Sequence, residues 1–266
     1  MNLAISLSQN FSLQLSTSLA LDQGVEEVHD LAIAHEDHLD GKPFMKEIQS
    51  LLLGANKKGH FRSKQFSDHY LRNNKSNLQR ALQMAIRRHY GEYRESGYPY
   101  LAHVLSTAYV LARLGFPAEV VLAGILHDTV EDTPDKNRIL NELHTLLPSV
   151  AWYVYSVSGP DIKDSVEKDK ILLSRITSFS QQGNSLYPKA IKCADAIANL
   201  YDLRSMQGKD GRTAGQRQEL FLKKIETNIL PFAREIDNQQ LIPIKRRKEV
   251  FRLEEYVQEK VVGMRE

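Results

Sequence analysis

The sequence predicts an all-α protein. Apolar residues recur at the i, i+3, i+4, i+7 spacing of one helix face from Leu78 onward, no β-branched alternation interrupts the chain after that point, and Gly and Pro fall where helices begin and end. The 266 residues suit one sizeable domain, or one domain with a smaller appendage, and 42% hydrophobic residues are enough to build its core.

Taken in order, the chain opens on Leu3, Ile5, Leu7, Phe11, Leu13, Leu15, Leu19 and Leu21, mostly alternating with Ser, Gln, Asn and Thr. That period of two predicts an extended, half-buried segment. Short helices are expected over 25–33 and 43–53. A polar stretch over 54–75, with Lys57, Lys58, Arg62, Lys64, Arg72 and Lys75, reads as a linker or long loop whose charges are solvated. Leu78, Ala81, Leu82, Ala85, Ile86, His89 and Tyr90 then share one helix face. A second core helix is expected over 101–114, ended by Gly115. A third begins at Pro117 and reaches residue 130. Thr133-Pro134 caps and opens a fourth, which stops before Pro148. Further helices are expected over 150–157, 167–180, 188–206, 214–236 and 248–262. The division is thus an N-terminal extension of unknown role (1–75), a main domain (76–235) and a C-terminal helix (236–266).

Several classes of function fall away on composition. A formal charge of +2 supplies no global field for nucleic acid, so any phosphate must be gripped by local Lys and Arg. The single cysteine, Cys193, cannot form an internal disulfide or a cysteine-rich zinc site, and it suits a reducing compartment. No apolar run reaches the roughly 18 residues of a membrane span. No basic-then-apolar leader opens the chain. The expectation is a cytoplasmic protein without membrane or nucleic-acid partners.

The chemistry is concentrated in Ala123-Gly-Ile-Leu-His127-Asp128-Thr-Val-Glu131-Asp132-Thr133. Polar side chains at the end of an apolar helix are expensive to desolvate unless they bind something. His103 stands among Leu101, Ala102, Val104 and Leu105, and Asp195 among Ile191, Ala194, Ala196 and Ile197. Asp195, Asn199 and Asp202 share one face of an otherwise apolar helix. Imidazole with carboxylate suits Mn²⁺, Fe²⁺ or Zn²⁺. Such an ion lowers the pKa of bound water and polarises a phosphoryl oxygen, while a carboxylate outside the ligand set can orient the water or shuttle its proton.

The order His103…His127-Asp128…Asp195 resembles the HD superfamily of metal phosphohydrolases. Three blocks sharpen the resemblance: Arg94-Glu-Ser-Gly-Tyr-Pro-Tyr-Leu-Ala-His103, His127-Asp128-Thr-Val-Glu131-Asp132-Thr133 and Lys192-Cys-Ala-Asp195-Ala-Ile-Ala-Asn199-Leu200. Together they resemble the Rel/Spo alarmone hydrolase domain and its small stand-alone relatives over residues 76–235. The resemblance implies an HD-domain helical bundle. It implies that His103, His127, Asp128 and Asp195 are metal ligands, with Mn²⁺ the usual ion. It further implies that Glu131 and Asp132 are the catalytic acidic pair, that Arg94 packs on the guanine base and that Asn199 contacts the nucleoside. The implied reaction is removal of the 3′-pyrophosphate of guanosine (p)ppGpp, giving GDP or GTP and pyrophosphate, by a hydrolase-only protein.

The chain departs from the family pattern at Val104, where a proline is usual, and at Glu95 and Ala196, where basic residues are usual. The last two put the substrate in doubt rather than the metal site. Lys163, Lys168, Lys170, Arg175 or Lys192 could restore the charge. The alternatives are a phosphatase of another nucleotide such as NADPH, or a regulatory, antitoxin-like protein whose residues 1–75 bind a partner or self-associate. Blander readings apply elsewhere. His89, Cys193, Trp152, Tyr153 and Tyr155 are expected in the core, and His29, His35 and His38 on a solvated helix face.

Overall fold

The computed structural model describes residues 2–59, 71–131, 135–162, 164–181, 186–242, 245–246 and 249–266. Among these residues, twelve α-helices follow in the order α1 (Asn2–Ala34), α2 (Lys42–Gly59), α3 (Lys75–His89), α4 (Tyr100–Arg113), α5 (Ala118–Leu126), α6 (Lys136–Leu146), α7 (Pro148–Val157), α8 (Ser165–Gln181), α9 (Tyr187–Asp202), α10 (Ala214–Lys224), α11 (Leu230–Asn238) and α12 (Leu253–Arg265). The strands among the described residues are one short antiparallel pair, β1 (Lys245–Arg246) and β2 (Glu249–Val250), so the fold is all-α as the periodicity predicts.

α4 is buried on nearly every face and lies at the centre, covered by α1, α2, α5 and α9. α5 approaches it closely at Gly124, where a side chain would meet Leu111 Cδ1 at 2.7 Å and the Ala108 backbone at 3.3 Å. This crossing brings the end of α5, with His127, toward the start of α4, with His103.

The extended segment expected at the start of the chain is instead the long helix α1. Its buried positions from residue 13 on, Leu13, Gln14, Thr17, Ser18, Leu21, Val25, Val28, His29 and Ala32, follow the helical rather than the two-residue period. The alternation misled because small polar residues, Thr17 and Ser18, occupy part of the inner stripe while Leu15 and Leu19 lie outside it. Gln14 fixes the helix to the far end of the chain, its amide donating to the Arg252 carbonyl at 2.9 Å and accepting from the Arg252 N–H at 2.9 Å. Asp22 makes a second tie. Its carboxylate accepts from the hydroxyls of Tyr201 on α9 and Tyr256 on α12, and pairs with Lys260 at 2.7 Å.

α1 seats on α4 at Gly24. A Cβ there would fall 1.9 Å from the Tyr109 ring, and the Tyr109 hydroxyl donates to the Ala20 carbonyl at 3.1 Å. Gly24→Ala should therefore force the two helices apart and lower stability by about 1–3 kcal/mol in chemical denaturation, the usual consequence of overfilling a packed core. An unchanged midpoint would mean that α1 is not held on α4 in solution.

Other expectations are corrected in detail. α2 continues through the start of the supposed linker, and Asn56 is buried, donating to the Phe116 carbonyl at 3.3 Å and accepting from the Leu71 amide at 3.1 Å. Arg62 and Lys64 lie outside the described residues. The helix expected over 214–236 carries a π turn at Ile225–Ile229 just before Pro231, which has no N–H to continue the regular ladder. The last helix begins at Leu253, not residue 248, because β1 and β2 take up the preceding chain. Trp152 and Tyr155 are exposed, since the inner face of α7 is Val150, Ala151, Val154 and Val157. His38 is exposed and His35 half-buried, but His29 is buried, because the stripe Leu21, Val25, Val28 and Ala32 turns that side of α1 inward.

Candidate active site

Three helices deliver four side chains to one point. His103 comes from the first turn of α4, His127-Asp128 from the turn that ends α5, and Asp195 from the middle of α9. Both histidines are buried to within 2% of full burial and Asp195 to within 8%. His103 Nε2 lies 3.4 Å from Asp128 Oδ2 and 3.3 Å from Asp195 Oδ1. His127 Nε2 lies 3.2 Å from Asp128 Oδ1 and 3.6 Å from Asp195 Oδ1. One atom each from His103, His127 and Asp195 falls within 4.8 Å of the others, and Asp128 closes the ring by turning one oxygen to each imidazole.

This donor set fits a divalent cation. His127 Nδ1 is bonded to the Gly124 carbonyl at 2.8 Å, which makes Nδ1–H the donor and leaves the Nε2 lone pair facing the carboxylates. That Nε2 is buried and has no hydrogen-bond partner among the described residues. Nitrogen and oxygen atoms 3.2–3.6 Å apart on two imidazoles and two carboxylates are close enough to share one cation. Without the ion the cluster is held by its own charges. Burial works to raise the Asp128 carboxyl, but His127 and His103 outweigh it and hold it well below the usual carboxylate range. Burial likewise opposes ionisation of Asp195, and Lys192 with the two histidines overcomes it. Burial would lower the His127 imidazole, yet Asp128 and Asp195 push it up to about 10.

A layer of partners holds the ring in place. The Tyr100 hydroxyl donates to Asp128 Oδ2 at 2.9 Å, and its ring stacks on His89 at 4.7 Å. His89 is in turn bonded to Glu92 at 2.7 Å, so it is a core histidine with a supporting task. The Lys192 ammonium donates to Asp195 Oδ2. Asn199 is the bridge to the next pocket. Its amide N–H donates to Asp195 Oδ1 at 2.6 Å, while its carbonyl oxygen accepts from Arg94 Nη2 at 2.6 Å. Arg94 also pairs with Asp202 at 3.0 Å and lies 5.3 Å above the Tyr100 ring. Arg94, Tyr100, Asn199 and Asp202 line a cavity of about 280 Å³ together with Tyr93, Met206 and Phe221.

Glu131 stands apart from the ring of His103, His127, Asp128 and Asp195. Its carboxylate accepts from the Gly159 amide and from Lys168 Nζ at 3.4 Å. Asp132 lies outside the described residues, as do Thr133-Pro134 and Lys163. Of the cations considered as replacements for lost charge, Lys168 and Lys192 face the site, Lys170 is exposed and Arg175 is bonded to the Tyr155 and Ser158 carbonyls. Glu95 introduces little net charge, because Arg217 pairs with it at 3.0 Å. The Gln207 amide and Arg217 together keep the Glu95 carboxyl below its ordinary range. Tyr100 and Arg217 were not among the sequence candidates. Tyr100 precedes His103 by the i, i+3 spacing that puts two side chains on one helix face, which is the signal that would have found it. Arg217 comes from a distant helix and carries no such signal.

Residues 81–151 match the family model described as "HD domain". The chain is 31% identical over 125 residues to a guanosine-3′,5′-bis(diphosphate) 3′-pyrophosphohydrolase of Borreliella burgdorferi, covering 47% of this chain and 18% of that protein. It is 45% identical over 151 residues to a GTP pyrophosphokinase of Streptomyces coelicolor, covering 54% of this chain and 17% of that protein. It is 34% identical over 146 residues to a probable chloroplastic GTP diphosphokinase of Oryza sativa subsp. japonica, covering 52% of this chain and 20% of that protein. The chain thus spans no more than 20% of the length of these relatives. Among solved structures, it is similar to a metazoan ortholog of SpoT described as hydrolysing ppGpp. The TM-score is 0.53 at 22% identity, covering 71% of this chain and 96% of that one.

Proposed function

Starting from a chain that carries an HD domain and resembles the Rel/Spo (p)ppGpp enzymes along that domain, we propose that the protein is a metal-dependent guanosine-3′,5′-bis(diphosphate) 3′-pyrophosphohydrolase. It would convert (p)ppGpp to GDP or GTP and pyrophosphate, in the cytoplasm. The observation that carries this reading is the double role of Asn199, which joins the Asp195 carboxylate directly to the guanidinium of Arg94. A catalytic centre and a group able to grip a purine therefore share one hydrogen-bonded frame.

His103, His127, Asp128 and Asp195 would hold the ion, which we take to be Mn²⁺. When bound, it would lower the pKa of a water and polarise the phosphoryl oxygen. The chain's own residues do the rest. Glu131, fixed by the Gly159 amide and Lys168, is the carboxylate placed to orient that water or take its proton, and Asp132 is its partner by sequence. Lys192 and Lys168 bring positive charge to where a pyrophosphate would lie. Arg94, its guanidinium 5.3 Å from the centre of the Tyr100 ring, would offer its planar face to the base. A partner that docked on α1 would meet its outer side chains, such as Leu15, Leu19 and Ile33, because the inner stripe is spent on α4.

A second reading, hydrolysis of another nucleotide such as NADPH, is favoured by Glu95 and Ala196 in positions where the family carries basic residues. Incubating the protein and Mn²⁺ with a panel of phosphorylated nucleotides, and measuring phosphate and pyrophosphate separately, decides between them. Pyrophosphate from ppGpp as the fastest product is the expected result. Faster cleavage of NADPH or of simple nucleotides would replace the alarmone assignment. Metal-loaded protein that cleaves nothing would favour a regulatory role. Arg94→Ala should weaken kcat/KM for ppGpp roughly 5–150-fold with metal content unchanged, since stacking on a base is worth about 1–3 kcal/mol. Equal kcat/KM in both proteins would remove Arg94 from the base site.

A further inference from the structure

We propose that α1 is part of the nucleotide site, with His29 acting as a positioning residue that braces the Arg94 turn; the assignment of that turn to a nucleotide rests on the function proposed above. His29 is 7% exposed although it sits on a helix outside the matched domain. Its ring packs on Tyr98 with centroids 4.5 Å apart. Tyr98 closes the turn that presents Arg94, its carbonyl accepting from the Arg94 amide at 2.9 Å while the Gly97 amide donates to the Arg94 carbonyl at 2.9 Å. The opposite end of the same arginine is held by Asp202 and Asn199 of α9.

His29 also faces this group electrically. Burial lowers its imidazole, and the charges that act on it are those of Asp202, His103, Arg94 and Asp30. Two buried polar atoms in this layer, His29 Nε2 and Asp202 Oδ1, have no hydrogen-bond partner among the described residues. The placement follows from the seat of α1. Gly24 fixes the helix on Tyr109, and five residues later, about 7.5 Å along the axis, His29 reaches the level of the 94–98 turn. The arginine turn is thus gripped from both sides, by α9 through its guanidinium and by α1 through Tyr98.

The test uses the full chain. In His29→Ala the Arg94 amide, protected by the Tyr98 carbonyl, should exchange with deuterium roughly tenfold faster in the absence of any nucleotide. With Mn²⁺ present, KM for ppGpp should rise roughly tenfold while kcat falls much less and metal content holds. His29→Phe, which keeps an aromatic face against Tyr98, should restore most of the protection. Unchanged exchange in the 94–98 turn together with unchanged KM would overturn the proposal, and so would loss of metal, which would make His29 a support of the metal ring instead. If His29→Ala does not fold, Tyr98→Ala removes the same contact from the half-buried side, and the same two readouts apply. A wild-type protein that ignores ppGpp would defeat the proposed function, yet the exchange comparison would still decide whether α1 braces the turn.

Discussion

Asp128→Ala is expected to give a folded protein that no longer retains a divalent metal and whose kcat/KM is lower by at least about a thousandfold, the equivalent of several kcal/mol of lost charge stabilisation. Asp128 is the residue that turns one oxygen to His103 and the other to His127, so its removal opens the ring on both sides. Lost support around a ligand alone lowers metal affinity by roughly 10–100-fold, and loss of a ligand should exceed that. Elemental analysis of the two purified proteins checks the claim, with circular dichroism to show that both are folded. Equal metal content would mean that the ring is not a metal site. The affinity should also depend on pH. Asp128 and Asp195 outweigh burial and raise the metal-free His127 to about 10, so below that pH a cation must displace its proton. With one proton displaced, affinity should fall about tenfold for each pH unit lost.

Glu131→Gln is expected to behave in the opposite way, keeping the metal and losing turnover by roughly 10²–10⁴-fold, the range of a lost acid–base group. Glutamine retains an oxygen for the Gly159 amide, so the side chain should keep its place while losing the ability to carry a proton. Glu131 belongs to none of the contacts that form the ring, and it pairs with Lys168 at 3.4 Å. Metal loss in Glu131→Gln would move it into the ligand set, and full turnover would pass the acid–base role to Asp132.

The helices around the site were legible because each carries a complete signal of its own. α4 and α9 are apolar helices interrupted by His103 and by the Asp195, Asn199, Asp202 stripe, and the interruption marks the site as plainly as the apolar background marks the helix. What stayed illegible depended on distant chain. The neutralisation of Glu95 by Arg217 and the burial of His29 each need two elements to be docked before they exist. α1 was misread for a local reason, because its stripe is part leucine and part Thr17 and Ser18, and a count of apolar residues alone recovers the wrong period.

The Asp22 junction has a consequence for how the chain is made. Its carboxylate is bonded to hydroxyls 179 and 234 residues further along. At about 5–20 residues per second, a ribosome needs about 10–50 s to extend the chain that far. Until residue 201 is made the first helix has its charge in place and neither tyrosine, and Tyr256 follows later still. α4, its apolar seat, emerges earlier, so docking and locking of α1 are separate events in time. Contacts this remote in sequence slow folding, since a long loop must close before they form. Refolding should accordingly show the central helices gaining protection first, with the junction of α1, α9 and α12 protected in a later and slower phase.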